Sequence, residues 1–325
     1  MVLAEQAVLI TSILVTFGVC LAITKFAAKH LFPDFEPLQF YDTATNPMEI
    51  NVVLAFIVGL VLSVGALVYF DAQKLKPVLN PTQWQQYRLM EKQSLSPNTV
   101  LYRFKLPRAN NILGLPIGQH ISVQANINGK TVMRSYTPTS SDDDHGFFDL
   151  VVKSYEQGNI SKYIRDMKVG DLLSVKGPKG QMRYTPGLAR HIGMIAGGTG
   201  LTPCLQVIRA ALKNPADKTQ IDLIYANVKE ADILLKQELD ELAIKHKGQF
   251  RVHYFLNEAP EGWKGGVGFV SKEAIQEKLP RPASDVKILF CGPPPMQNSV
   301  KKHLAELGYD EPRTISKLED QVFFF

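Results

Sequence analysis

The feature that most restricts the fold is a repeated alternation of strand and helix patterns in the C-terminal half of the chain. Four times after His191, a short and largely apolar run is followed by a longer helical pattern. In chain order the pairs are Ile192–Ala196 with Pro203–Lys213, Ile221–Ala226 with Ile233–His246, Val252–Leu256 with Ser271–Lys278, and Val286–Cys291 with Met296–Leu307. Units of this kind predict a parallel, doubly wound sheet.

The preceding part of the chain has a different pattern, in which strands follow one another at short intervals. Between Trp84 and Leu173, β-forming runs are separated by turn residues such as Asn128-Gly129. The predicted strands are Thr99–Lys105, Gln119–Ile127, Thr131–Tyr136 and Phe147–Val152. This succession predicts an antiparallel β-barrel.

The chain of 325 residues is about twice the usual length of one domain, so two domains and an appendage are expected. We divide it into an N-terminal extension at 1–49, an anchor at 50–70, a tether at 71–82, the barrel domain at 83–188 and the parallel-sheet domain at 189–325.

The anchor, Ile50–Phe70, contains no charged side chain. Because about 20 apolar residues suffice to cross the hydrocarbon core as a helix, we predict a transmembrane helix. A buried core helix is the alternative, which is disfavoured because soluble core helices of this length usually carry polar residues. Basic residues follow closely at Lys74, Lys76, Arg88 and Lys92, which favours a cytosolic position for the C-terminal domains.

A second apolar stretch, at 7–24, gives a weaker signal because Thr11, Ser12 and Thr16 interrupt it. It is consistent with another span, an interfacial helix or a signal-like segment. Lys25 and Lys29 would oppose the predicted orientation if this stretch also crosses the membrane.

Charge is distributed unevenly along the chain. Residues 1–70 carry 2 of the 36 Lys+Arg and 5 of the 31 Asp+Glu, which leaves 34 basic and 26 acidic side chains, a net +8, for residues 71–325. Such a surface suits an acidic partner or anionic lipid, or is simply a solvated surface. Nucleic acid is not an expected partner, because the basic residues are dispersed and lack an accompanying aromatic motif.

The only cysteines are Cys20, Cys204 and Cys291, and their spacing predicts neither a disulfide framework nor a zinc site. This composition suits a reducing cytosol. The 7 histidines are scattered along the chain, so no metal site is expected.

Two motifs in the barrel half have chemistry suited to a nucleotide. In Arg134–Ser140, Arg134 and Tyr136 share a strand face, and an arginine fork suits a pyrophosphate while an aromatic ring suits a flat heterocycle. Gly158–Ser161 precedes a helix pattern, whose amino terminus suits an anion. The alternatives are a polar strand with a turn and ordinary helix capping.

Two further motifs end strands of the parallel sheet, where ligands gather in open α/β folds. Gly197–Pro203 is a glycine-rich turn that opens a helix and lets backbone amides approach a diphosphate, although it lacks the full dinucleotide fingerprint. Cys291–Met296 holds a thiol beside three prolines that fix the backbone. A buried structural cysteine is the alternative at this position.

Taken together and in this order, the motifs resemble those of the NADH-cytochrome b5 reductase family of ferredoxin-reductase-like flavoproteins. The likeness covers Gln83–Phe325 and includes the C-terminal segment Asp320–Phe325. It implies an FAD-binding barrel followed by an NADH-binding domain.

The resemblance implies a role for each matching residue. It assigns FAD to Arg134, Ser135, Tyr136, Thr137, Lys153, Tyr155, Gly158, Asn159, Ile160, Ser161 and Thr202. It assigns NADH to Gly197, Gly198, Thr199, Gly200, Cys291, Gly292, Pro293, Met296 and Phe325, with the terminal carboxylate also near the flavin. Thr202, Cys291 and Thr137 are the implied catalytic residues.

Two features of the sequence depart from the family pattern. Asn257 stands where relatives often have an aspartate linked to NADH preference. NADH remains favoured over NADPH because no arginine-rich pocket for a 2′-phosphate follows the second strand. The N-terminal extension is also longer than the simple tether that such enzymes usually carry.

The implied reaction is hydride transfer from NADH to flavin N5, followed by two single-electron transfers to cytochrome b5 or another small acidic haem or iron protein. One alternative acceptor is the small iron protein of diphthamide synthesis. An alternative of another class is a non-enzymatic membrane tether. We expect a monomer on the endoplasmic reticulum or mitochondrial outer membrane, facing the cytosol.

Overall fold

The computed structural model describes residues 57–69 and 75–325, and the chain divides into two units, Met1–Leu75 and Lys76–Phe325. In the first unit, residues 57–69 are helical and expose apolar side chains such as Val61 and Val68. The predicted anchor at 50–70 extends beyond the described residues on both sides, and the stretch at 7–24 lies outside them. Within the described part, no helix is both long enough and apolar enough to cross a membrane.

The second unit begins with a six-stranded antiparallel sheet in the order β6-β5-β8-β2-β3-β7. Its strands are β2 (Gln85–Ser96), β3 (Thr99–Lys105), β5 (His120–Ile127), β6 (Lys130–Tyr136), β7 (Phe147–Lys153) and β8 (Leu172–Lys179). Alternate residues of β5 are buried, as expected for a sheet with one face on a core. On that face Phe104 stacks on Phe148 with ring centroids 5.2 Å apart.

The predicted antiparallel β-barrel is confirmed as an antiparallel sheet, but in the described residues hydrogen bonds do not close that sheet into a barrel. In the described residues, the edge strands β6 and β7 do not pair with each other. Helix α1 (Ile160–Asp166) contacts both edge strands and β5 and buries Ile160 and Ile164. A helix therefore covers the opening that strand pairing leaves.

Part of the predicted tether at 71–82 is bound to this sheet domain. Strand β1 (Lys76–Pro77) pairs in parallel with β4 (Asn111–Ile112). The amides of Val78 and Leu79 donate to Ile112 O and Leu113 O, each at 3.2 Å. This part of the connection thus belongs to the folded unit that begins at Lys76.

The remainder forms a six-stranded parallel sheet in the order β12-β11-β10-β9-β13-β14. Its strands are β9 (His191–Gly197), β10 (Gln220–Asn227), β11 (Phe250–Leu256), β12 (Gly266–Val267), β13 (Val286–Cys291) and β14 (Val322–Phe324). The order reverses between β9 and β13, because the chain builds outward from β9 in one direction and then returns to its other side.

Helices cover both faces of the parallel sheet, which confirms the doubly wound prediction. They are α2 (Leu201–Lys213), α3 (Lys236–Lys245), α4 (Lys272–Lys278) and α5 (Pro294–Glu306). Alternate residues of β9 enter different cores, since Met194 packs with α2 and α3 whereas Ile195 packs with α4 and α5. A strand buried on both faces needs an apolar sequence throughout, and residues 191–196 are all buried.

One predicted helix, Ile233–His246, begins later than its pattern indicates. Glu230–Asp232 form a 3-10 turn and the helix starts at Lys236. Leu235 between them adopts a φ of 54°, a left-handed conformation that interrupts a right-handed helix. Ile233 and Leu234 are buried in the core from this turn, so burial there does not require helix.

A buried ion pair joins three strands at the amino-terminal edge of the parallel sheet. Asp222 on β10 is 1% exposed, and its Oδ2 lies 2.7 Å from His191 Nε2 and accepts from Arg251 Nη2 at 2.8 Å. Burial alone would raise the pKa of Asp222, but these two partners outweigh it and lower the pKa. The folded state therefore favours the charged carboxylate.

Replacing Asp222 with alanine is expected to lower the free energy of unfolding by about 3 kcal/mol at pH 7. That is the lower end of the range for a broken buried pair, because the Arg251 side chain is 59% exposed and keeps its hydration. Because the pKa is lowered by folding, the stabilisation is present above the unfolded value of about 3.9 and disappears as pH falls through the folded value.

Urea unfolding followed by tryptophan fluorescence at pH 7 and near pH 3 measures this difference. Asp285→Ala is the matched control, because it breaks the neighbouring Arg190–Asp285 pair, in which both side chains are half exposed. Equal loss of stability from the two variants would contradict the prediction, as would a loss from Asp222→Ala that does not shrink in acid.

Candidate functional site

The carboxyl ends of β9 and β13 lie side by side, at the point where the strand order of the parallel sheet reverses. After β9 the chain makes a 3-10 turn at Gly198–Gly200 and enters α2, while after β13 it passes Gly292-Pro293 and enters α5. The two helices pack on opposite faces of the sheet. Connections that diverge in this way leave a crevice at the strand ends, which is the usual ligand position in such sheets.

Glycines allow the two connections to touch backbone to backbone. A Cβ atom added at Gly200 would lie 2.1 Å from Cys291 O, and one added at Gly197 would lie 2.9 Å from Pro293 Cδ. Gly198 has a φ of 55° and open space around its missing Cβ. The turn therefore presents main-chain atoms to the crevice where any larger residue would fill it or push the connections apart.

A tyrosine supports this glycine turn from beneath. Tyr225 is fully buried, and its hydroxyl donates to Gly198 O at 3.1 Å and accepts from the Leu234 amide at 3.3 Å. Burial raises the pKa of this hydroxyl, so it remains a donor. The turn is thus held from the neighbouring strand β10 rather than by its own sequence alone.

The barrel side of the crevice carries Arg134 and Tyr136 on edge strand β6. They pair with Val123 and Ile121 of β5, so they lie two residues apart on one face. Arg134 is exposed, donates from Nη1 to Met133 O at 2.7 Å, and forms no ion pair with any carboxylate in the described residues. Burial raises the pKa of Tyr136 to about 12, which keeps the phenol neutral.

The loop that enters α1 provides a second surface on the barrel side. Asn159 is the residue before the helix, but its side chain makes no capping hydrogen bond, so the capping alternative is not observed. A Cβ at Gly158 would lie 2.1 Å from Ser161 Oγ, so a larger residue there would require the Ser161 side chain to rotate. The first turn of α1 therefore keeps main-chain amides available beside a buried Ser161.

One cavity of about 1040 Å³ collects these surfaces. Every residue to which the sequence assigned a role lines it. They are Arg134, Ser135, Tyr136, Thr137, Lys153, Tyr155, Gly158, Asn159, Ile160, Ser161, Gly197, Gly198, Thr199, Gly200, Thr202, Cys291, Gly292, Pro293, Met296 and Phe325. The individual roles remain predictions, but residues more than 190 positions apart in the sequence do line the same cavity.

The cavity also includes residues that sequence reasoning missed as ligand contacts. His120, the first residue of β5, lines it, and burial lowers its pKa, with Lys179 adding to the effect. Asn227 ends β10 and is 8% exposed; neither polar atom of its amide has a hydrogen-bond partner in the described residues. Phe269 is 83% exposed at the rim. Only the strand-end position of Asn227 offered a signal in the sequence.

Asn257, which departs from the family pattern, also lines the cavity. Its amide donates to Asn227 O at 3.1 Å, which joins the ends of β10 and β11. The nearest basic residue along the chain after β10 is Lys229, and its ammonium lies 3.2 Å from Glu258 Oε2. Both side chains of this pair are exposed, and a lone lysine lacks the planar fork with which arginine binds a phosphate.

Lys153 connects the two sheets across the cavity. Its Nζ lies 2.7 Å from Asp232 Oδ1, and both side chains are largely buried. Lys153 ends β7 of the antiparallel sheet, whereas Asp232 belongs to the 3-10 turn after β10. This pair fixes one side of the cavity opening.

The C-terminal segment forms the remaining wall. Strand β14 pairs in parallel with β13, and the Phe325 amide donates to Phe290 O at 3.0 Å. Lys287 of β13 is 5% exposed and donates from Nζ to Leu318 O at 2.8 Å and to Asp320 O. Burial lowers the pKa of Lys287, yet two carbonyls replace its hydration and anchor the segment that ends at Phe325.

Thr202 lines the cavity from the helix that follows β9, and Cys291 lines it from the end of β13. Thr202 lies in the first turn of α2 and donates from Oγ1 to Thr199 O at 3.2 Å. Burial raises the pKa of the Cys291 thiol to about 12. Cys291 is therefore a neutral thiol at physiological pH rather than a thiolate nucleophile.

Alkylation of Cys291 by iodoacetamide at pH 8 should be more than about 100-fold slower than that of free cysteine, because the thiolate is the reactive form. The rate should rise about tenfold per pH unit until pH approaches the pKa of about 12. Mass spectrometry of the peptide that contains Cys291 measures this rate, and a Cys204→Ser variant removes the other described thiol as a control. Modification at the rate of free cysteine would show that the thiol is activated.

Comparison with known proteins identifies both halves of the unit. Residues 86–184 match a family model described as the oxidoreductase FAD-binding domain, and residues 194–302 match the oxidoreductase NAD-binding domain. A relative from Mycosarcoma maydis, NADH-cytochrome b5 reductase 1, is 80% identical over 325 residues, 100% of both chains. Another of that name from Cryptococcus neoformans is 56% identical over 282 residues, 83% of this chain and 95% of the relative.

Solved structures give the same assignment of the fold. The cytochrome b5 reductase domain of Ulva prolifera nitrate reductase is 37% identical with a TM-score of 0.71, covering 77% of this chain and 100% of that domain. A flavohemoglobin from Malassezia yamatoensis is 20% identical with a TM-score of 0.60, covering 93% of this chain and 76% of that one. At that identity the second likeness concerns the fold alone.

Proposed function

Because the chain belongs to the NADH-cytochrome b5 reductase family, we propose that it uses FAD to pass electrons from NADH singly to cytochrome b5. One observation carries the proposal: all the residues predicted to hold FAD and NADH line a single cavity at the switch point of the parallel sheet. A cavity with both sets of residues in one wall lets two cofactors meet, which hydride transfer requires.

The residues present fit FAD and NADH. Arg134 offers a guanidinium with no carboxylate partner in the described residues, which suits the pyrophosphate of FAD, together with the uncapped first turn of α1. On the other side, the Gly198–Gly200 turn offers main-chain atoms to the diphosphate of NADH. The buried side-chain amide of Asn227 has no hydrogen-bond partner among the residues that the structure describes, which is a cost that a polar group of a nucleotide would remove.

FAD supplies the conversion between a two-electron donor and one-electron acceptors, so that one NADH and two ferric haems yield NAD⁺, one proton and two ferrous haems. The protein orients the reactants and excludes water. Thr202 and the neutral Cys291 thiol line the cavity from opposite connections and would border the nicotinamide of bound NADH. Neither of these two side chains carries charge, so they would contribute shape and hydrogen bonding rather than charge at this position.

The first unit suits a membrane anchor. The charge-free run at 50–70 and the helical residues 57–69 with their exposed apolar side chains support this role. We place the catalytic unit on the cytosolic face of the endoplasmic reticulum or mitochondrial outer membrane, as a monomer. Resistance of the full chain to extraction by alkaline carbonate, with residues 76–325 open to added protease, is the expected result; release into the soluble fraction would contradict it.

The test of the proposed activity is NADH and NADPH oxidation by the purified chain, with and without cytochrome b5. NADH should bleach the flavin absorbance near about 450 nm and reduce the haem rapidly, whereas NADPH should act at least about tenfold more slowly. Rapid flavin reduction with slow haem reduction would remove cytochrome b5 as the main acceptor and favour a small iron protein. A chain that binds no flavin would contradict the enzymatic proposal altogether.

A further inference from the structure

One buried side chain links the barrel strands of the cavity to the helix that follows the glycine turn. Gln206 of α2 is 7% exposed. Its Oε1 accepts from the Gly118 amide at 3.1 Å, and its Nε2 donates to Pro138 O at 3.2 Å. Both bonds join main-chain atoms of the antiparallel sheet domain to a side chain of the parallel-sheet domain.

The two partners of Gln206 are the open ends of one β-hairpin. Gly118 precedes β5 by two residues and Pro138 follows β6 by two residues, and these strands pair from Ile121–Tyr136 to Ile127–Lys130. The hairpin carries the residues predicted to contact FAD, Arg134 to Thr137. Because β6 is an edge strand, it has a neighbour on one side only, so the position of its end depends on contacts made after the strand.

Gln206 also lies one helical turn after Thr202, which borders the other side of the cavity. Residues four apart share a face of a helix, so the bond to Pro138 holds the end of the hairpin against the same face that carries Thr202. The next residues on this face continue the contact, since Arg209 donates to Thr139 O and Lys213 pairs with Asp143. This row therefore connects the two domains beside the cavity, as the Lys153–Asp232 pair also does.

We propose that Gln206 is a positioning residue for hydride transfer, which fixes the separation between the flavin strand and the nicotinamide site. The inference rests on the proposed function. Gln206 contributes no atom to the reaction. It is the buried member of the row, whereas Lys213 and Asp143 at the end of the row are both exposed, and an exposed ion pair is a weak constraint. A displacement of about 1 Å between reacting groups costs up to about 100-fold in rate.

Two substitutions separate the two hydrogen bonds. Gln206→Met keeps the length of the side chain and removes both bonds. Gln206→Glu keeps an acceptor for the Gly118 amide but places a carboxylate oxygen against Pro138 O, and only a protonated glutamic acid restores the donor. Burial raises the pKa of a carboxyl group, so the second variant should titrate where the natural amide does not.

The first measurement is hydrogen exchange of the full chain, which does not depend on activity. The Gly118 amide should exchange faster in Gln206→Met and stay protected in Gln206→Glu. Stopped-flow reduction by NADH then gives the rate constant of flavin reduction and the Kd for NADH separately. We expect the rate constant to fall by about 10- to 100-fold in Gln206→Met, with FAD content and Kd within about twofold of the parent.

In Gln206→Glu the rate constant should fall as pH rises through the pKa of the new carboxyl, a step absent from the parent. Gln237→Met is the matched control, because Gln237 lies on the exposed face of α3, where its side chain donates to Glu241 Oε1, and should change nothing. Unchanged flavin reduction in Gln206→Met despite faster Gly118 exchange would overturn the proposal, as would loss of FAD without a change in the rate of the remaining holoenzyme. Failure of NADH to reduce the parent would instead reject the proposed function.

Discussion

Replacing Gly200 with alanine is expected to slow NADH-dependent flavin reduction at least about 100-fold while FAD remains bound. A Cβ at this position would lie 2.1 Å from Cys291 O and 2.6 Å from Cys291 C. Both contacts are with backbone, so no side chain rotation relieves them, and the connections after β9 and β13 must separate. Misplacement on this scale removes the alignment on which hydride transfer depends.

Stopped-flow reduction by NADH, with FAD content measured by absorbance, tests this expectation. Gly308→Ala is the matched control: Gly308 has a φ of 85° and no atom within 4 Å of its missing Cβ. The control should lose about 1 kcal/mol of stability from the left-handed backbone and retain the parental rate. A parental rate in Gly200→Ala would show that the two connections do not need to touch.

Replacing Arg134 with methionine is expected to weaken FAD binding by about 100-fold. The exposed guanidinium has no carboxylate partner in the described residues, and charge-assisted hydrogen bonds to a pyrophosphate contribute about 1.5–3 kcal/mol. The FAD affinity of Arg134→Lys should lie between those of the parent and Arg134→Met, because an ammonium keeps the charge but lacks the planar fork. The measurement is titration of the flavin-free chain with FAD, followed by flavin fluorescence.

Lys130→Met provides the control for this result. Lys130 is exposed on the same strand and points to the same side as Arg134, four residues away. It lies outside the cavity wall, so its removal changes the charge of β6 without touching the site. An equal loss of FAD affinity in both variants would mean that the overall charge of β6, and not Arg134 itself, favours FAD binding. Unchanged affinity in Arg134→Met would show that Arg134 does not contact FAD.

The elements that the sequence predicted best are those with a continuous pattern and clear ends. Thr99–Lys105 and Val286–Cys291 have the predicted limits, because turn residues bound a run that is buried at alternate positions or throughout. Strand β2 was not predicted because most of its side chains are exposed, so its extended form depends on pairing with β3 and β8. Three-residue β14 consists of β-forming residues, but so short a run was not predicted, and its place in the sheet depends on pairing with β13 and on the contacts of Lys287.

In the candidate site, too, local motifs were predicted from the sequence, whereas residues that depend on long-range contacts were not. Glycine-rich and cysteine–proline turns are local signals, so Gly197–Pro203 and Cys291–Met296 were identified from the sequence, and the structure places them together. His120 and Asn227 were missed because each is an ordinary strand residue whose importance depends on which strand ends converge. Gln206 belongs to the same class, since nothing in a helical pattern reveals that its amide reaches two segments from the other sheet.

The C-terminal wall of the cavity has a consequence for how the protein is made. A chain emerges from the ribosome with its amino terminus first, and N-terminal domains generally fold before C-terminal ones. Here β14, which pairs with β13 at the edge of the parallel sheet, and Phe325, which lines the cavity, follow all the other strands of the described unit in the sequence. The cavity wall that they form is therefore added after the other strands have been synthesised, so a stop codon before Val322 would leave a chain whose cavity lacks this wall.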